Sequence, residues 1–483
     1  MKLKHLVVPP SEGRHHPRHI FWSGKRGALV FQIFTPFLML QLLFLSNLCY
    51  MFGSMYRESE RGHRLNVLMV NFDDSVIATS LRGAVRASAA PTFPNVVEAP
   101  VSEYQNISDI IHVVRTGQYW GAIYTHAGAS DRLAAALLGG EAADAYNASD
   151  AITYVWNEAR YSATSESVIE ANMEKLIAQT AAVYHATNGT AALGSTNSTD
   201  PAALAALCNP IRASNYNIKP TTQGVRVVYQ ALPIVFAILI QFFFLMAVNG
   251  IFGHLQLYSH LSIPFNALVR LILSWIYTFI GSLCFSAAIW AFQENWGLTT
   301  AEFFLMWMTF WLHMHINFCV LDVATAFIAV PFLPFFVIAW VIPNITSTLT
   351  PFELAPGFYR WSYALPAHET YTILIQIWTG GADNFLYRAL PILCVWEFVG
   401  LVSAYLALNY RCVKTRKALL EEEHIKKKVK EGHMSDLTGL TFTLEALMGR
   451  EAEDRDVLRD QYFPEAHISI GGLKRHGPIA QAY

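Results

Sequence analysis

The sequence predicts a polytopic α-helical membrane protein with six transmembrane helices and a luminal or extracellular α/β domain between the first and the second. Three observations predict it. The block from Val227 to Ile342 contains runs without Asp, Glu, Lys or Arg at Leu271–Phe292, Phe303–Leu321 and Val323–Ile342. About 20 apolar residues suffice for a helix to cross roughly 30 Å of hydrocarbon, and a soluble core helix needs only one apolar stripe. A long polar insertion, residues 57–226, separates this block from one further charge-free run near the amino terminus. That insertion carries four Asn-x-Ser/Thr sequons, at Asn106, Asn147, Asn188 and Asn197, a concentration expected of a glycosylated segment.

Composition fits this class. Hydrophobic residues make up 53% and charged residues 14% of the chain, the balance of membrane spans carrying sizeable soluble parts. Six cysteines form no CxxC pair, so zinc and dithiol chemistry find no support, and Cys208 is the one cysteine in the polar insertion.

Residues 1–27 form a basic tail expected on the cytosolic side. Its His15, His16 and His19 fit a solvated segment better than a metal site. Residues 28–52 are the first transmembrane helix, too long for a signal-peptide core and therefore an anchor. In residues 57–226, Leu65–Phe72, Tyr119–Tyr124 and Ile152–Trp156 read as buried strands. Helical patterns alternate with them at Ser75–Ala90, Ile107–Arg115 and Asp131–Leu138, which predicts layered α/β packing. A further helix follows Ser167, with Ser167 and Glu170 spaced as a capping box and Gly189 as its stop. Asn188–Pro210 reads as a flexible return to the membrane.

Residues 227–342 hold transmembrane helices two to five: Val227–Phe252, Ala267–Phe292, Phe303–Leu321 and Val323–Ile342. The last two form a hairpin around Asp322. Residues 344–388 are broken by Pro351, Pro356 and Pro366 and rich in Tyr and Trp, the composition of an outer interfacial or re-entrant segment. Residues 389–408 are the sixth span. Residues 409–483 are a tail that opens with Arg411, Lys414, Arg416 and Lys417, a positive-inside signal for the cytosol. Thr441–Tyr462 suggests one more amphipathic helix. Six spans put both termini in the cytosol and the sequons outside, including a fifth at Asn344.

No P-loop, HExxH or GxSxG pattern occurs, so neither an enzyme nor a cofactor is expected. The Asp73–Asp74 pair reads as a turn at a strand end. The remaining chemistry is intramembrane polarity: Glu397 near the middle of the sixth span, and His313, His315 and Asn317 in the fourth. Such groups are costly in hydrocarbon and mark either a substrate or proton path or a polar clasp between helices.

The stretches HMHINFCVLDVATAFIAVPFLPFF (His313–Phe336) and PFELAPGFYRWSYALPAHETY (Pro351–Tyr371), with the layout of one span, a glycosylated loop and five more spans, resemble the fungal nitrosoguanidine-resistance family. The resemblance covers roughly residues 25–415. That family is similar in layout to ABC-2-type membrane subunits and to phage-infection-protein homologues. The resemblance implies drug or mutagen resistance, control of lipid distribution, and a re-entrant pair before the last span. It supplies no catalytic residues, and ATP-driven pumping would require a separate ATPase subunit.

The expected function is export or transbilayer movement of hydrophobic compounds or lipids, in the plasma membrane, with the endoplasmic reticulum as the alternative. Expected partners are membrane lipids, hydrophobic small molecules, and a separate ATPase subunit or a second copy of the chain; no nucleic acid is expected. The rival reading is a sensor or scaffold acting through the glycosylated domain and the tail.

Overall fold

The computed structural model describes residue 20 and residues 25–221, 228–293 and 297–430. The histidines of the amino-terminal tail and the helix expected at Thr441–Tyr462 lie outside the described residues.

The chain enters through helix α1 (Lys25–Ser54) and reaches a five-stranded sheet. Strands β1 (Asn66–Asn71), β2 (Asn95–Ala99), β3 (Gly121–Thr125), β4 (Ile152–Trp156) and β5 (Ala213–Asn217) lie in the order β2-β1-β3-β4-β5. Pairing is parallel except between β3 and β4. Strand β1 reads NVLMVN and is buried on both sides, as strands covered by helices on two faces must be. Val67 and Met69 point into one layer with α2 (Val76–Ala87), α4 (Ala129–Leu138) and the long α7 (Ala171–Ser195). Leu68 and Val70 point the other way, onto Ile110, Val113 and Val114 of α3 (Ile107–Arg115). Short helices α5 (Glu141–Asp144), α6 (Ser162–Thr164) and α8 (Pro201–Cys208) complete the domain. A Cβ on Gly121 would come within 2.9 Å of Ile169 and 3.1 Å of the Val155 carbonyl, so glycine lets the helical layer close on β3.

Two local expectations fail here. Ser167 does not cap a helix. Helical structure begins earlier, at Ser162, and passes through a π turn, Ser165–Glu170, into α7; the Ser167 hydroxyl bonds the Ala163 carbonyl within it. Gly189 does not stop α7, which continues to Ser195, and α8 follows. The segment expected to be a flexible return is therefore largely helical.

Among the described residues six helices are long and apolar enough to cross a membrane: α1, α9 (Val228–His254), α11 (Ile263–Ala291), α12 (Thr300–Phe327), α13 (Leu333–Leu349) with the turn before it, and α15 (Leu386–Lys430). A single turn, α10 (Leu257–His260), joins α9 to α11. The start of α12 is a capping box between Thr299 and Glu302. The hairpin after α12 differs from expectation. Its turn lies at 328–332, ahead of Leu333, and Asp322 sits inside α12, buried against Arg270 of α11. A charge punctuates a hydropathy reading, but a paired charge need not break a helix. The fifth span consequently begins and ends later than expected and takes in Asn344.

Between the fifth and sixth spans lie a 3-10 turn, Gly357–Ala364, and α14 (Pro366–Trp378). Pro366 opens α14, where its missing N–H costs nothing. Twelve of the thirteen α14 residues are buried, so it lies inside the helix block and not on its surface. Trp396, nearly three turns into α15, donates to the Ala364 carbonyl at 2.7 Å, which ties the chain just before α14 to the sixth span.

Candidate functional site

Helix α12 organises the interior because it carries polar groups on two faces. His313 and Asn317 are one turn apart and share a face. His315 lies about 200° around the helix from His313 and shares its own face with Cys319 and Asp322. The four residues expected to form one path thus divide into two sites: Glu397 joins His315, while His313 and Asn317 face elsewhere.

The first face meets α13 and α14. His313 is fully buried, with its Nδ1 3.0 Å from the Thr370 hydroxyl of α14. Asn317 donates to the His313 carbonyl at 2.8 Å, and Trp340 of α13 donates to Asn317 Oδ1 at 2.9 Å. Next to them, His368 Nδ1–H donates to the Ser347 carbonyl at 3.0 Å with its ring stacked 4.5 Å from Phe352. Glu369, fully buried, pairs with Arg388 of α15 at 3.2 Å. One short helix therefore brings an imidazole, a carboxylate and two hydroxyls (Thr370 and Thr372) into the middle of an apolar block.

The second face meets α11 and α15. His315 bridges two helices, with Nε2 3.1 Å from the Ser274 hydroxyl and Nδ1 2.7 Å from Glu397 Oε1. Beyond it, Asp322 binds Arg270 at 2.5 Å and Arg411 at 3.5 Å. Tyr258 accepts from both guanidinium groups at 2.9 Å, and Asn249 Oδ1 and Thr325 Oγ1 accept from Arg411. This cluster ties α9, α10, α11, α12 and α15 together at the end of the block away from the α/β domain. Cys412, 3% exposed and bonded by Asn266, is part of the same packing.

Sequence reasoning passed over Glu369, Arg270 and the pairing of Asp322. The available signal was an acid and a base within otherwise apolar runs, each implying a partner. Glu369 lay in a segment read as interfacial or re-entrant, without a role of its own.

A joint connects α14 to the α/β domain. Arg160 binds Asp383 at 2.6 Å, both nearly buried, and its guanidinium lies 3.7 Å from the Trp120 ring centroid. Asn157 donates to the Thr379 carbonyl at 3.5 Å, and Tyr161 packs edge-on against Tyr371, 5.3 Å between centroids. Burial holds the Tyr161 phenol well above its ordinary range. Tyr161 and Asp383 both take left-handed backbone, φ 47° and 55°, a strain that persists only where the surroundings enforce it. The hydrophobic core of the domain continues without a break through this joint into Tyr371, Trp378 and Met306.

Within the domain, a crevice of about 810 Å³ opens past the carboxyl ends of β1 and β3, lined by Phe72, Asn106, His126, Arg132 and Asp150 among others. Here the chain leaving β1 runs to β2 on one side and the chain leaving β3 runs to β4 on the other, the usual position of a binding crevice in an α/β sheet. Arg132 is engaged with the Ala127 and Asp150 carbonyls. The adjacent Asp73 carboxylate accepts from the Ser130 amide and hydroxyl, and Asp74 pairs with Arg82, the structural role read for this pair.

The sequons divide by geometry. Asn106, Asn147 and Asn197 are exposed and use the side-chain oxygen as an acceptor for nearby groups. Asn188 is half-buried on α7 and donates to Thr187. Asn344 is fully buried, donates to the Trp340 carbonyl and accepts from the Ala367 amide, so the glycan expected there has no room in this fold.

A family model described as "Protein of unknown function (DUF3533)" matches residues 36–402. The "Uncharacterized endoplasmic reticulum membrane protein YJR015W" of Saccharomyces cerevisiae is 23% identical over 411 residues, covering 76% of this chain and 77% of that protein. No solved structure matches. The family match runs from the first apolar helix into the last and takes in the α/β domain and both faces of α12; the chain is an integral membrane protein and belongs to this family of unknown function (DUF3533).

Proposed function

We propose that this protein moves hydrophobic compounds or lipids across or out of the bilayer, and thereby contributes to drug or mutagen resistance. One observation carries the reading: α14, a helix too short to span, places His368, Glu369, Thr370 and Thr372 in the interior of a six-helix block. Broken or half-length helices with polar groups at mid-membrane are the form substrate sites take in many transporters, because irregular backbone survives in the membrane only inside protein or along a cavity. Groups of this kind in hydrocarbon belong by default to a pathway.

In this proposal the α/β domain faces the lumen or exterior and carries glycans at Asn106, Asn147 and Asn197, while the segment after Arg411 is cytosolic. In this reading the layout resembles that of an ABC-2-type membrane subunit, and a separate ATPase chain or a second copy is the partner it calls for. The plasma membrane was the first expectation; the yeast relative's description as an endoplasmic reticulum protein adds that membrane as the place to look first.

The test is flux by the purified chain in vesicles. Lipid with a fluorescent headgroup is loaded in both leaflets, and access of an external quencher to the inner leaflet is followed. Quenching beyond half, at a rate above that of protein-free vesicles, is the expected result. The second reading, a sensor in which ligand at the domain crevice acts through the Arg160–Asp383 joint, is favoured by that joint's burial. It predicts no flux and a ligand-dependent change in the joint.

A further inference from the structure

Helix α11 carries Asn266, Arg270, Ser274, Thr278, Ser282 and Ser286, a polar residue at every fourth position, and all six are buried. Residues four apart form one ridge on a helix. At 1.5 Å per residue the row is about 30 Å long, the thickness of the hydrocarbon core. Close packing accounts for part of it, since small residues let membrane helices approach and hydroxyls can bond their own backbone. Thr278 does so onto the Ser274 carbonyl and Ser282 onto that of Phe279.

Packing does not account for the remainder. Asn266 Oδ1, Arg270 Nε and Ser286 Oγ on α11, Trp311 Nε1 on α12 and Glu397 Oε2 on α15 are buried atoms without a hydrogen-bond partner among the described residues. Asn266 and Ser286 are wholly buried and Arg270 is 5% exposed. Trp311 belongs to the same seam, its ring 5.2 Å from that of Phe279 and one turn before His315. An orphaned buried polar atom costs about 1–3 kcal/mol, and water bonded to several such groups removes that cost. Five such atoms lie along α11 and the two helices packed against it. At the centre of this seam His315 joins the Ser274 hydroxyl to the Glu397 carboxylate through its two ring nitrogens.

We infer that the seam between α11, α12 and α15 is a proton path, with Glu397 and His315 as its relay. At rest the Oε1–H of neutral Glu397 donates to His315 Nδ1, and His315 Nε2–H donates to the Ser274 hydroxyl. The Oε1 proton passes to Nδ1, forming the imidazolium; the carboxylate left behind takes up a proton at Oε2 from water in the seam and is neutral again. The imidazolium releases its Nε2 proton beside Ser274, which leaves neutral His315 in its other tautomer, and exchange with water in the seam resets it. One proton enters, one leaves, and no other bond changes. The groups facing the relay are Cys319 of α12, 3.9 Å from His315 Nδ1, and Ser274 and Trp275 of α11. Toward the domain-distal end come Arg270 of α11, Asp322 of α12, Arg411 of α15 and Tyr258 of α10. The inference deepens the transport reading and rests on it for its purpose.

The test uses the full chain in vesicles with a trapped pH-sensitive dye and an external acid pulse. Wild-type protein should admit protons faster than protein-free vesicles. Glu397→Gln and Ser274→Ala should return the rate to the protein-free level, while Cys284→Ser, on the exposed side of α11, should leave it at wild type. Ser274→Ala serves as the deciding variant if Glu397→Gln does not elute as a monodisperse protein. Lipid flux is read in parallel on the same preparation. Flux without proton entry above the protein-free rate overturns the proton path and leaves the transport reading standing. Proton entry that depends on Glu397 without lipid flux supports the path and removes the transport reading. Wild-type proton entry in both variants overturns the path.

Discussion

Replacing Asp322 by Asn removes one negative charge from a site where Arg270 is 5% and Arg411 13% exposed by side chain. Two guanidinium groups then face each other near the Tyr258 hydroxyl with no anion between them. Arg411 retains Asn249, Tyr258 and Thr325 as partners, so the damage falls mainly on Arg270, whose Nε already has none among the described residues. Removing one member of a buried ion pair costs about 3–5 kcal/mol, and a kcal/mol is worth at least about 2 °C in mid-sized domains, so the loss should be roughly 6 °C or more. The assay is the temperature at which detergent-solubilised protein leaves the monodisperse peak in size-exclusion chromatography. Adding Arg270→Met should recover much of the loss, because an apolar side chain of similar length removes the stranded charge. If Asp322 lay in an exposed turn, Asp322→Asn would be neutral; a midpoint unchanged within error would refute the pairing and with it the placement of the α12–α13 turn.

Other outcomes follow from the geometry. Endoglycosidase treatment of protein made in its own kind of cell should increase gel mobility; Asn→Gln at Asn106, Asn147 and Asn197 together should abolish most of that shift, and Asn344→Gln should change none of it. Arg160→Ala strands the nearly buried Asp383 and should cost about 3–5 kcal/mol, and a double-mutant cycle with Asp383→Asn should show strong non-additivity in thermal stability, as directly paired groups do. His126 is held below its ordinary 6.5 first by burial and then by the charge of Arg132. Below that value the unfolded chain takes up a proton that the folded domain refuses, so stability falls as pH drops from 6.5. His126→Gln, which can still bond Thr153, should flatten that fall in a fluorescence melt.

The centre of the α/β domain was legible because β1 is a continuous apolar run and α3 is bounded by its own caps. The edge strands were not: β2 is five residues between two prolines, and β5 reads ASNYN, polar because it lies at the sheet edge with none of its residues buried. Apolar runs located all six membrane helices, but their ends were set by interactions that composition does not carry. Asp322 looked like punctuation because its partner Arg270 lies 52 residues away in sequence. Glu397 was correctly singled out as needing a polar partner, and His315 supplies it. Grouping His315 with His313 failed because helix periodicity puts neighbours two apart on opposite sides. The polarity of α14 fitted an interfacial or a re-entrant segment alike, because the sequence records which groups are polar, not what encloses them; its burial fits the re-entrant alternative.

The transport account rests on the face that α14 presents to His313. Its most direct test is lipid flux by Thr370→Val, measured in vesicles at matched protein content with a monodisperse elution profile as the check on folding. Valine keeps the shape of threonine and deletes the hydroxyl 3.0 Å from His313. The account predicts flux reduced to near the protein-free rate in a protein that remains folded. Flux at the wild-type rate would contradict it.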